Sequence, residues 1–113
     1  MAGESANEGV LEFIKRCFRQ RQIMWTYHVN MRLEKRRVTR EDIIASTESM
    51  EIIEAYPQDR FLPCYLLFAQ REEKAIHVVV AVDVSGDNVR IVTAYEPGPH
   101  EWEPSFKIRR KSR

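Results

Sequence analysis

Apolar residues in this chain change their spacing once, near residue 50. Before that point they recur at helical intervals. Val10, Phe13, Ile14, Cys17 and Phe18 occupy the i, i+3, i+4, i+7 and i+8 positions of one face, with Asn7 as a cap and residues 1–6 as a loose tail. After the short apolar run Ile23-Met24-Trp25, Thr26 is placed to cap a second helix reaching about Arg37. At about 100° per residue, Met24, Tyr27, Met31 and Val38 gather on the side expected to meet a core. Thr39 and Asp42 have capping-box spacing and open a third helix, with Ile43, Ile44, Thr47 and Met50 facing inwards.

From Glu51 onward the pattern is that of strands. E-I-I-E-A-Y at 51–56 is stopped by Pro57, and C-Y-L-L-F-A-Q at 64–70 follows a polar loop. A-I-H-V-V-V-A-V-D-V at 75–84 is dense in β-branched residues, as a central strand covered on both faces would be. S-G-D-N at 85–88 has turn chemistry and V-R-I-V-T-A-Y at 89–95 returns beside it. Pro97, Gly98, Pro99 and Pro104 make 96–104 an ordered loop. The expected fold is α+β: N-terminal helices packed on one face of a four-stranded antiparallel meander sheet. His77 points away from Ile76, Val78, Val80 and Val82, on the face of Val79 and Ala81. An even-numbered hairpin turn puts Thr93 and Tyr95 on the other face, and an odd one reverses that.

Length and composition fit one soluble globular domain. The 113 residues are 43% hydrophobic and 31% charged, too few for two ordinary domains. The polar, acidic start lacks the basic and apolar regions of a secretory signal, and no apolar run reaches spanning length, so a cytoplasmic protein with no membrane contact is expected. Cys17 and Cys64 lack metal-ligand spacing, which leaves them as buried thiols; no metal site and no cofactor is expected.

The net charge of +1 conceals an uneven distribution. Residues 15–40 carry nine Lys/Arg against Glu34 alone, residues 41–104 carry four basic and thirteen acidic residues, and the tail at 105–113 adds five more cations. Either a basic face built from the helices and tail attracts phosphate, or the opposite blocks face one another. Within the basic block His28, Arg32 and Arg36 recur at intervals of four, which on a helix makes a row of one imidazole and two guanidinium groups suited to an anion.

Several runs carry a family resemblance. His28, Arg32-Leu33, Arg36, Val38-Thr39, Asp42-Ile43, E-I-I-E-A-Y-P at 51–57, I-H-V-V at 76–79, I-V-T-A-Y-E-P at 91–97 and Trp102 resemble the bacterial domain-of-unknown-function family numbered 4258. The resemblance spans residues 23–102 and leaves out the first helix and the basic tail. It implies a relation, at the level of fold, to the barnase, EndoU, colicin and RelE assembly of metal-independent ribonucleases, often toxins paired with an antitoxin.

On that model RNA cleavage needs proton transfer at the ribose 2′-OH and the leaving oxygen, and positive charge at the phosphate. His28 and His77 are the candidate base and acid, and Arg32 and Arg36, with Arg37 and Lys107, supply cations. Tyr95 and Trp102 offer rings for stacking a base. Each has a plainer role available as core, loop anchor or helix cap. The expected function is a small metal-independent ribonuclease-like protein, the toxin of a toxin–antitoxin pair, with RNA and a cognate antitoxin as partners. The alternative is a non-catalytic module that binds RNA or protein through its basic helical face.

Overall fold

The computed structural model describes residues 2–35, 37–57 and 61–111; the side chains of residues 2–7, His28, Arg32, Glu34 and Lys35 lie outside the described set. Elements follow in the order α1 (Ala2–Arg19), β1 (Ile23–Met24), α2 (Tyr27–Lys35), α3 (Arg40–Ala45), a 3-10 turn (Thr47–Ser49), β2 (Glu51–Tyr56), β3 (Cys64–Arg71), β4 (Lys74–Asp83) and β5 (Asn88–Tyr95). The sheet has five strands in the order β1-β5-β4-β3-β2. Four form the expected antiparallel meander. The fifth is the Ile23–Met24 pair, which runs parallel to β5 opposite Val89 and Arg90, so the sheet is mixed.

The helical layer covers the sheet face that carries Ile76, Val78, Val80 and Val82. Ile14, Cys17 and Phe18 of α1, Val29 and Leu33 of α2, then Val38, Ile43 and Met50 complete this core. Both cysteines are buried. α1 starts at Ala2, so residues expected to form a loose tail belong to the helix. The expected face of α2 also differs. Val29 and Leu33 point inwards, whereas Tyr27 is 79% exposed and Met24 and Met31 are half exposed. Met24 belongs to β1 and not to the helix, so a helical wheel phased from it is rotated away from the true i, i+4 pair.

The capping box of α3 forms as its spacing requires: the Thr39 hydroxyl accepts from the Asp42 amide and the Asp42 carboxylate accepts from the Thr39 amide, both at 3.0 Å. Asp42 also takes Arg71 at 2.8 Å and Lys74 at 3.2 Å, which ties α3 to the β3–β4 hairpin. Burial pushes its carboxyl pKa up, but the Thr39 amide, Lys74 and Arg71 together outweigh that and hold it below the ordinary range.

Two bulges decide which side chains reach the face turned away from the helices. In β2, Ile52 pairs with Leu67 and Glu54 with Leu66, so the extra residue Ile53 puts Glu51 and Glu54 on the same face. In β5, Ile91 pairs with Val80 and Thr93 with Val79, leaving Val92 over. The β4–β5 turn is even, with Asp83 opposite Asn88. Alone it would send Tyr95 to the helical face; the bulge reverses the parity and sets Tyr95 directly opposite His77.

Candidate functional site

The face turned away from the helices is covered around His77, Phe68 and Glu54 by the chain after β5. Residues 101–110 form a small hairpin strap: Trp102 bridges Arg109, the Glu103 amide donates to the Ile108 carbonyl at 2.8 Å, and the Arg110 amide donates to the Glu101 carbonyl at 2.9 Å. Trp102, 2% exposed, anchors it. Burying an indole of roughly 150–250 Å² at about 25 cal per Å² stabilises the seat by about 4–6 kcal/mol, more than any polar contact in the strap. Ion pairs add a rim. Lys107 meets Glu51 at 2.8 Å and Arg109 forks onto Glu54 at 2.5 and 3.1 Å, while Tyr56 donates its hydroxyl to the same Glu54. Arg109 also lies over the Trp102 ring at 4.6 Å and Lys107 over Phe68 at 5.0 Å.

Under this strap lies His77, with no exposed surface. Its ring sits edge-on to Trp102 at 4.4 Å and Tyr95 at 5.5 Å, and 6.4 Å from Phe68. Nε2 is 2.6 Å from the Phe106 carbonyl, which can only accept, so Nε2 carries the proton. Nδ1 is then a bare acceptor, and it has no hydrogen-bond partner among the described residues. Burial pushes the His77 pKa down, which outweighs the raising effect of the Phe106 bond; Arg109 lowers it further and Glu54 opposes. The ring is therefore neutral at pH 7. Nearby, hydrogen bonding to Arg109 holds the Glu54 carboxyl below its ordinary range, and the Glu54 bond raises the Tyr56 phenol.

The candidate residues divide accordingly. His77, Tyr95, Trp102 and Lys107 converge on one face. His28 and Arg32 are carried by α2, but their side chains lie outside the described residues, and Arg36 lies outside them altogether. Arg37 is exposed beyond the end of α2, and its carbonyl accepts from Lys74. A groove of about 320 Å³ brings Thr26 and Val29, at the start of α2, beside Cys64, Ala81 and Arg90 of the strap-side face. Ala81 lies four residues from His77 on β4, roughly 13 Å along the strand.

Glu51, Glu54, Tyr56 and Arg109 were not readable as site residues. The carboxylates reach this face only through the β2 bulge, and Arg109 only because the tail folds back. The one available signal was charge: two acids in the strand at 51–56 and a basic tail at 105–113. The same matching extends over the helices. Arg19 forks onto Glu48 at 2.7 and 2.8 Å, Arg16 pairs with Asp87, and Arg110 approaches Glu103 at 3.7 Å. Among the described residues, Arg16, Arg19, Lys107, Arg109 and Arg110 of the basic blocks thus face carboxylates, and the open basic surface is reduced by those five.

A family model described as a domain of unknown function, DUF4258, matches residues 25–96. The chain belongs to that family. The match includes α2, α3 and all four meander strands, hence His28, Arg32, Glu54, His77 and Tyr95; α1 and the strap fall outside it. No curated protein and no solved structure matches the chain. Among the described residues no helix is long and apolar enough to cross a membrane, and no three His, Cys, Asp or Glu side chains gather as metal ligands.

Proposed function

We propose that this protein is a metal-independent ribonuclease-like protein whose reacting centre is the strap-side face around His77. The observation that carries the reading is the convergence on one face of a neutral histidine with an unpartnered Nδ1, Tyr95, the Trp102 ring and the cations Lys107 and Arg109. His77, kept neutral by burial, suits the role of base: it takes the proton of a ribose 2′-OH. The freed oxygen bonds to phosphorus, the bond from phosphorus to O5′ breaks, and O5′ receives a proton from water. A 2′,3′-cyclic phosphate and a 5′-OH result. Arg32, Arg36, Arg37 and the strap cations hold the phosphates, and Tyr95 and Trp102 offer ring surface to a base. A toxin role, with a cognate protein as antidote, extends the same reading.

A second reading is favoured by a different observation. His77 has no exposed surface while the strap is seated, and most described cations already face carboxylates. A non-catalytic module that binds RNA or an acidic protein accommodates both facts. Incubation of the purified protein with RNA in EDTA separates the two. Cyclic phosphate ends that disappear in His77→Gln support the enzyme, whereas intact RNA retarded on a gel supports the binder. Growth arrest on expression, relieved by a neighbouring gene product, tests the toxin role.

A further inference from the structure

The strap has a firm base and a loosely held tip. At the base, Trp102 is buried and bridged to Arg109. The tip is different. Pro104 and Ser105 are exposed and Phe106 and Lys107 only half-buried, and a cleft of about 360 Å³ separates it from Phe68, Gln70 and Ala75 of the sheet. Phe106 has φ of +60°, a left-handed conformation that an aromatic residue rarely adopts. That strained turn is what aims its carbonyl at Nε2 of His77. The tip's other described holds on the sheet are the contacts of the half-exposed Lys107 side chain with Glu51, itself half exposed, and with the Phe68 ring. Its own hydrogen bonds run within the hairpin, from Glu103 to Ile108 and from Phe106 to Glu103, so lifting it leaves them intact.

We propose that residues 103–108 are a hinged cover over Nε2 of His77, turning on the Trp102–Arg109 base and opened when a phosphodiester takes the Lys107 ammonium from Glu51. The chemistry follows from the proton. While the Phe106 carbonyl is in place, Nε2 must remain N–H and cannot accept. With the tip raised, the ring is free to exchange tautomer and present an Nε2 lone pair at the surface. Phosphate competes well for Lys107 because its present partner is a half-exposed carboxylate, so the exchange costs little desolvation. The identity of the opener rests on the ribonuclease reading; the hinge does not.

Site-resolved carbethoxylation of histidine by diethyl pyrocarbonate tests the hinge on the full chain, with exposed His100 as internal reference and amide exchange of residues 103–108 read in parallel. A single-stranded 2′-deoxy oligonucleotide serves as probe, since it has the phosphodiester and no 2′-OH to react. In the wild type, His77 should label far more slowly than His100, and the oligonucleotide should raise its rate at least fivefold. Glu51→Gln should raise it without oligonucleotide, and Lys107→Gln should raise it and abolish the response. His77 labelling and tip exchange unchanged in both variants would overturn the hinge. Opening by Glu51→Gln with no response to oligonucleotide would overturn the phosphodiester trigger. A protein whose His77 opens on oligonucleotide but leaves RNA intact would sink the ribonuclease reading and leave the hinge standing.

Discussion

His77 and Tyr95 face each other across β4 and β5, ring centroids 5.5 Å apart, because one extra residue, Val92, reverses the parity of an even hairpin. Ile91 and Ala94 both stay in the core for the same reason. Deleting Val92 should therefore remove the bulge and leave Thr93 opposite Val79, Ala94 in the core and Tyr95 opposite His77. A loss below roughly 1 kcal/mol is expected in urea unfolding, with the His77–Tyr95 ring contact kept in NMR spectra. A deletion variant in which Tyr95 leaves His77 would mean that Val92 is not the extra residue that sets this register.

The buried state of His77 makes stability depend on pH. Its folded pKa is below the ordinary 6.5, so between those two values the unfolded chain binds the proton that the folded one refuses. The contribution is complete above about pH 6.5 and is lost as pH falls toward the folded value. Arg109 and Glu54 are the charged groups named around the ring, and they act in opposite directions. Urea midpoints measured from pH 8 to 5 should fall for the wild type, and this component should vanish in His77→Gln.

Trp102 carries the strap by burial. Trp102→Ala should cost about 3–5 kcal/mol in thermal or denaturant unfolding, with rapid amide exchange throughout 101–110. Arg109→Ala should cost much less, about 1 kcal/mol, because that side chain is 54% exposed and its pair with Glu54 is screened by solvent. A Trp102 variant no worse than the Arg109 one would show that ion pairs and not the indole hold the strap.

At α3 the two members of the capping box should differ. Thr39→Ala removes one cap bond and should cost roughly 0.5–2 kcal/mol. Asp42→Ala removes the reciprocal bond and leaves Arg71 and Lys74 without their shared carboxylate, so its cost should exceed that of Thr39→Ala. Chemical denaturation of both variants at pH 7 measures the difference.

Local signals were legible in the sequence where a residue's role depended on its near neighbours. The Thr39–Asp42 box, the four meander strands and the two-sided burial of β4 are of this kind. Relationships set by distant partners were not. A two-residue strand such as Ile23–Met24 has no periodicity of its own, and only β5 makes it one. Neither bulge has a local signature in I-I-E or I-V-T, because both are defined by what stands opposite. The tail presented only prolines and charges, and its course over His77 depends on Trp102 finding a seat on the sheet. The half of the candidate site built from Glu54, Tyr56 and Arg109 was hidden for that reason.

The most direct test of the central claim is single-turnover RNA cleavage in EDTA by the wild type and His77→Gln, each corrected for its folded fraction. Gln retains an N–H donor for the Phe106 carbonyl but has no group that can take up a proton. Cleavage by the wild type, reduced on the order of 100-fold or more in the variant, is the predicted result; equal cleavage by a folded His77→Gln would contradict it.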